Sequence, residues 1–329
     1  MNNMAKPILN IQFTDFYSDF DMHDNPITRI LEKRYHVVLS ETPDFVFYSC
    51  YGCRFLNYPA SVRICVISEN VIPDFNVCDY AIGFSHIQFD DRYLRHYLGR
   101  PLPQPALQYR DGLPDTMAQR QFCNFVYSNA DSGEGASLRQ AFCTKLMEYK
   151  HVDCPGRVMN NMALPAFERR ATDWRTQKMA FLAQYKFTIA FENSSTSGYM
   201  TEKMYHPLCA NSIPIYWGDC HASRSVNSKA FVNVHAFASL NEAVEYIKEL
   251  DRDDALYLKM LRQPAMADNY TFDQEEQLEN FLYAIVEKEP IPFVKDPRGF
   301  SLRQIELREQ PKKSILARGM RKLKCMLSS

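Results

Sequence analysis

Residues Tyr185–Gly218, YKFTIAFENSSTSGYMTEKMYHPLCANSIPIYWG, constrain the fold more than any other stretch. Tyr185–Phe191 mixes apolar and small residues with strong strand formers. Asn193–Gly198 is a run of turn formers. Helical spacing is predicted from Tyr199 to about Ala210, and Ile213–Trp217 reads as a second strand. Such a β-loop-α-β unit belongs to a parallel α/β sheet, where ligands gather at the strand C-termini. The loop feeds a helix N-terminus, where free N–H groups and the helix dipole favour an anion. Positions i, i+3 and i+4 share one helix face. Tyr199, Glu202 and Lys203 are therefore expected to gather a ring, a carboxylate and an ammonium beside a phosphate-sized site.

At 329 residues the chain exceeds one typical core and suits two α/β domains. A net charge of −1 argues against nucleic acid as a partner, because no overall basic field exists. No G-x-G-x-x-G or Walker-type run occurs, so hydride-transfer and P-loop chemistry lack their central motifs. The ten cysteines are scattered, several inside apolar strand-like runs, and read as buried thiols of a reducing compartment. Cys50 and Cys53 form a lone C-x-x-C with no second pair for zinc, and the histidines show no ligand spacing. Asp251 and Asp253 imitate an Asp-x-Asp metal motif but follow a predicted helix, so a solvated helix end is expected. No metal is expected in the site.

Along the chain, Ile8–Phe13, Val37–Leu39, Phe45–Tyr48, Val62–Ile67 and Tyr80–Ile82 are predicted strands of an N-terminal α/β domain over residues 1–100. Asn25-Pro26 offers an N-cap and first-turn proline for its helix. The prolines of 101–118 mark a linker. A second α/β domain, 119–300, opens with the strand-like FCNFVYSN, and Arg139 lies in the helix that follows. Phe231–Val234 is another predicted strand. Ser239-x-x-Glu242 and Asp273-x-x-Glu276 read as caps of later helices. Pro207 is expected to kink or shorten its helix. Residues 301–329 form a basic tail. Within 312–327, Leu316, Met320, Leu323 and Leu327 share one helical face among six cations, which reads either as a basic amphipathic helix on an anionic membrane surface or, since Gly319 costs such a helix about 1 kcal/mol, as a disordered basic tail. No apolar run approaches about 20 residues, so no membrane-spanning segment is expected. Asn193-Ser194-Ser195 fits a glycosylation sequon, but a glycan there would block the expected site. A cytoplasmic setting, peripheral at the inner face of a bacterial membrane, fits better.

Phe191-Glu192-Asn193, Tyr199, Thr201-Glu202-Lys203 and Ile213-Pro214-Ile215-Tyr216-Trp217-Gly218 together resemble the donor-binding signature of the α1,3/4-fucosyltransferases, an inverting family that uses GDP-fucose. Ile67-Ser68-Glu69-Asn70, Asp74-Phe75-Asn76 and Asp79-Tyr80-Ala81-Ile82-Gly83-Phe84 resemble that family's N-terminal pattern. The resemblance implies a GT-B fold, two Rossmann-like domains facing across a cleft, with GDP-fucose as co-substrate and an oligosaccharide or lipid-linked glycan as acceptor. It implies Glu69 as general base. Ser128-Asn129 ending a strand, with Arg139 in the next helix, resembles the family's phosphate-contacting arginine. Lys203, its helix N-terminus and Arg139 would then stabilise the leaving pyrophosphate in place of a metal. Asn193 and Tyr199 would hydrogen-bond phosphate or sugar, and Glu202 would accept sugar hydroxyls. The first 60 residues, where acceptor contacts would lie, match weakly. Two other readings stay open: a GT-B transferase of another nucleotide sugar such as GDP-mannose, and a non-catalytic glycan- or nucleotide-binding protein.

Overall fold

The computed structural model describes residues 5–96, 110–131, 133–162, 174–268 and 274–293. The expected tail, 301–329, and the first half of the expected linker, 101–109, lie outside the described residues, as does the Asp273 cap. The chain divides into two compact units, each built on a parallel sheet. One holds the described residues up to Gly83, Gln88–Leu94 and those from Glu275 on; the other holds Phe84–Ile87 and those from Arg95 to Gln274.

The first unit carries β1 (Ile8–Thr14), β2 (His36–Leu39), β3 (Phe45–Tyr48), β4 (Val62–Val66), β5 (Tyr80–Gly83) and β6 (Tyr93–Arg95), in the order β2-β1-β3-β4-β5-β6. β1 pairs in parallel with β2 on one side and β3 on the other. The chain thus winds outward from β1 and β3 in opposite directions, so a topological switch point lies between their C-terminal ends. Helix α1 (Pro26–Glu32) starts where the Asn25-Pro26 signal placed it, and Asn25 Oδ1 accepts from Thr28 N–H at 3.0 Å. Ile27, Ile30 and Leu31 are buried on its inner face.

The second unit carries β7 (Gln121–Asn124), β8 (Val152–Asp153), β9 (Tyr185–Phe191), β10 (Ile213–Trp217) and β11 (Val232–Asn233), in the order β11-β10-β9-β7-β8. Its helices are α2 (Glu134–Met147), α3 (Trp174–Leu182), α4 (Glu202–Cys209), α5 (Leu240–Arg252) and α6 (Asp254–Leu261). Every residue of β9 and β10 is buried, as expected of central parallel strands covered on both faces. From β9 the chain proceeds to β10, and from β7 it proceeds to β8 on the opposite side. The switch point of this sheet therefore lies between β7 and β9.

Several local expectations change. FCNFVYSN continues as strand only to Asn124, after which Tyr127 turns inward and its hydroxyl accepts from Phe191 N–H at 2.7 Å. The helix α7 (Gln274–Val286), expected in the second domain, belongs to the first unit, where Tyr283 Oη donates to Ile30 O at 2.8 Å. At the end of the expected linker, Asp115–Gln119 forms a 3₁₀ helix that runs one residue into the expected second domain. Asp251 is not solvated. Its carboxylate is withdrawn between Lys150 Nζ and Lys186 Nζ, each at 3.0 Å, because a carboxylate buried near the sheet requires counter-charges. Asp253 is the exposed partner of that pair and caps α6 by accepting from Leu256 N–H at 3.0 Å.

Candidate active site

In the second unit the loops after β7 and β9 diverge, and two helix starts meet there. Gly135 N–H, in the first turn of α2, donates to Asn193 O at 3.0 Å. Thr201 N–H, at the start of α4, donates to Glu192 Oε1 at 2.7 Å. Gly133, with φ +74°, and Gly135 let these backbones touch. A Cβ on Gly135 would meet Glu192 O at 2.0 Å. Both helices therefore bring their N-terminal ends, and with them their positive dipole ends, to the same loop.

Arg139 projects from α2 into this junction and is almost wholly buried. Its Nη1 donates to Asn193 Oδ1 at 2.8 Å and its Nη2 to Asn129 O. The guanidinium lies 4.1 Å above the Tyr127 ring centroid, in cation–π contact. Its Nε has no hydrogen-bond partner among the described residues. Tyr127 in turn is fastened to β9 through the backbone of Ile189 and Phe191. The arginine is thus a fixed cation, held by its neighbours rather than by a carboxylate.

Lys203 supplies the second cation. Thr201 caps α4, with its Oγ1 accepting from Lys203 N–H. Lys203 Nζ lies 3.3 Å from Glu192 Oε2 and 3.3 Å from Glu202 Oε1. Burial alone would lower the ammonium's pKa. The Glu202 and Glu192 carboxylates outweigh burial and hold it well above the ordinary lysine value. Burial pushes the Glu192 carboxyl up, partly offset by Lys203 and by the Thr201 hydrogen bonds. For Glu202 burial also acts upward, but Lys203 and Lys178 dominate and hold it far below the ordinary carboxylate range.

Arg139 contacts Asn193, and Lys203 contacts Glu202 and Glu192, whereas Tyr199 is placed differently from the helical expectation. α4 begins at Glu202, so Tyr199 precedes the helix and the i, i+3, i+4 argument does not place it. Instead Tyr199 is buried with its ring edge-on to Phe84, centroids 5.1 Å apart. Glu192 and Tyr127, outside the expected site set, hold Lys203 and Arg139 in place. Glu192 follows an otherwise apolar central strand, and an acid at such a position must find a cation or a capping donor.

Glu69 belongs to the first unit. It follows β4 by three residues, is exposed, and accepts a hydrogen bond from Tyr51 Oη at 3.0 Å. Among the described residues, no three His, Cys, Asp or Glu side chains cluster in a way that could hold a metal ion. No described helix is long and apolar enough to cross a membrane.

These features coincide with known proteins. A model of the alpha-(1,3)-fucosyltransferase FucT N-terminal domain matches residues 11–99, and one of the glycosyltransferase family 10 (fucosyltransferase) C-terminal domain matches residues 117–284. The chain is 31% identical over 304 residues to the alpha-(1,3)-fucosyltransferase FucT of Helicobacter pylori, covering 79% of this chain and 61% of the relative. It is 34% identical over 265 residues to GDP-fucose protein O-fucosyltransferase 3 of Xenopus tropicalis, covering 78% and 50%. It thus spans between half and about three fifths of the length of these curated relatives. The fold is similar to the crystal structure of an alpha1,3-fucosyltransferase with GDP-fucose, with a TM-score of 0.68, 28% identity, and coverage of 88% of this chain and 93% of that one. The fold is accordingly GT-B, and the chain belongs to the fucosyltransferases of glycosyltransferase family 10.

Proposed function

We propose that the protein moves L-fucose from GDP-fucose to a hydroxyl of GlcNAc in an N-acetyllactosamine-type glycan, forming an α1,3 linkage with inversion. The observation that carries this reading is the cationic cradle at the β7/β9 switch point: Arg139 on Asn193, Lys203 on Glu192, and two helix N-termini. Fixed donors of this kind suit a pyrophosphate, whose charge grows as the bond to the sugar breaks. In the proposed reaction the acceptor oxygen attacks the fucose C1 in line with the C1–O bond to the β-phosphate. That bond breaks, the electron pair leaves on GDP, and the acceptor proton passes to Glu69. Arg139 and Lys203 hold the departing charge, and Asn193 and Tyr199 line the donor. Glu202, paired with Lys203 and with 29% of its side chain exposed, would accept a hydroxyl of the donor.

A second acceptor class is favoured by the similarity to a GDP-fucose protein O-fucosyltransferase: a hydroxyl on a protein. One experiment separates these readings. The protein is incubated with GDP-fucose or GDP-mannose and a panel of N-acetyllactosamine, related disaccharides and hydroxyl-bearing peptides, and product linkage is determined by NMR. Fucose α1,3-linked to GlcNAc is the expected product. Product only on peptides supports the second acceptor, and transfer only from GDP-mannose replaces the donor. GDP binding with no transfer to any acceptor leaves a binding protein.

A further inference from the structure

We propose that Tyr17 and Tyr51 form the subsite for the acceptor sugar, with Tyr17 as a stacking wall and Tyr51 as both floor and positioning residue for Glu69. The proposal deepens the transferase reading and rests on it for the role of Glu69.

Tyr17 lies on the loop after β1 and Tyr51 on the loop after β3. These are the two loops that diverge at the first sheet's switch point, where ligands of open α/β sheets bind. Both rings are exposed, Tyr17 at 49% and Tyr51 at 48%. They stand at 85° to one another with centroids 6.3 Å apart, an open corner. Exposed aromatic surface beside a functional carboxylate is a recognition surface more readily than a packing residue. An aromatic face is also the natural partner of the C–H face of a pyranose, with the hydroxyls left at the rim.

The corner is built rigidly. Tyr17 meets Phe20 edge-on at 5.8 Å, Phe20 lies 5.4 Å from Phe13, and Phe13 stacks on the buried Phe47 at 5.3 Å. A ladder of rings thus runs from the core to the wall. Asp15 pins the two loops together. Its carbonyl accepts from Tyr51 N–H at 3.1 Å, and its carboxylate accepts from the N–H groups of Arg54 and Phe55 at 3.0 and 2.8 Å. Asp15 takes φ +59° to do so, an uncommon left-handed conformation for a residue with a side chain. Preformed walls reduce the ordering cost of binding.

Tyr51 links recognition to chemistry. Its Oη donates to Glu69 Oε1 at 3.0 Å, so the ring beneath the sugar also sets the direction of the base. A hydroxyl delivered to Glu69 must belong to a sugar lying within reach of Tyr51.

The test uses the full chain and N-acetyllactosamine as probe. Tyr17→Ala should raise the acceptor KM about tenfold with kcat little changed, and Tyr17→Phe should restore it to within about twofold. Tyr51→Phe keeps the ring and loses the hydroxyl, so kcat should fall with acceptor KM held; Tyr51→Ala should damage both. Saturation-transfer NMR from the aromatic protons supplies a readout independent of turnover. It should show sugar C–H signals in wild type that are lost in Tyr17→Ala. An acceptor KM unchanged in Tyr17→Ala alongside active wild type overturns the subsite and leaves the transferase reading standing. Sugar binding that depends on Tyr17 without any transfer keeps the subsite and removes the transferase reading. Absence of sugar saturation in wild type overturns the subsite.

Discussion

Lys203 Nζ lies 3.3 Å from a carboxylate oxygen of Glu192, a residue wholly withdrawn from solvent at the end of β9. The pair joins the central strand to the start of α4 and fixes where the ammonium stands. Breaking a buried ion pair from one side typically costs about 3–5 kcal/mol. Glu192→Gln should cost less than that, because Glu202 remains as a counter-charge to Lys203. Urea denaturation should still show a clear loss of stability, and GDP affinity should fall severalfold as Lys203 loses its anchor. A variant with wild-type stability and GDP affinity would show that the pair does not position the lysine.

Arg139 acts through geometry as well as charge. It forks to Asn193 Oδ1 and Asn129 O over the Tyr127 ring. Charge-assisted hydrogen bonds contribute about 1.5–3 kcal/mol, so Arg139→Ala should weaken GDP binding by about tenfold to a hundredfold. Arg139→Lys keeps the charge and loses the fork, and should recover only part of that loss. Lys203→Ala should weaken GDP binding to a similar degree. Calorimetric titration with GDP measures all three. Unchanged dissociation constants in both alanine variants would remove the phosphate assignment.

Much of this arrangement is readable in the residues. β9 and β10 were delimited to the residue, because central parallel strands are continuous apolar runs bounded by turn formers. The N-caps Asn25 and Ser239 were equally plain. What was not readable depends on contacts distant in sequence. Asp251 looked solvated because Lys150 and Lys186, which bury it, are far along the chain. Tyr199 was assigned to a helix that Thr201 actually caps, since Thr201 competes as an N-cap two residues later. Tyr17 and Tyr51 could not be paired before the order of β1 and β3 in the sheet was known.

The fold should lose stability as pH falls below about 6.5. Burial and the nearby Lys178 push the His206 pKa down to about 3 from an ordinary value of 6.5. Between those values the unfolded state binds the proton and the folded state does not, so stability is present above 6.5 and is lost toward 3. Each such group contributes a slope of at most about 1.4 kcal/mol per pH unit. His86, lowered by burial and Arg95, acts in the same sense. Glu192, raised by burial, acts in the opposite sense. Comparing urea stability near pH 7 and near pH 5 in wild type and His206→Gln isolates the His206 share. The drop should be smaller in the variant; an equal drop would show that His206 does not titrate this way.

In the proposed reaction Arg139, Lys203 and the helix termini would supply the charge that a divalent ion supplies in metal-dependent transferases. Fucose transfer should therefore continue at an unchanged rate in excess EDTA. Loss of activity on chelation, restored by Mn²⁺, would contradict this.

In the proposed reaction Glu69 is the base that takes the acceptor proton. The decisive measurement is the fucose-transfer rate of Glu69→Gln, taken together with its GDP dissociation constant. The amide is nearly isosteric and cannot accept the proton. General-base catalysis contributes about 10²–10⁴-fold. The rate should therefore fall by at least about a hundredfold while GDP affinity stays within a few-fold of wild type. Transfer at a near wild-type rate would place the base elsewhere and leave Glu69 as a surface carboxylate at the end of β4.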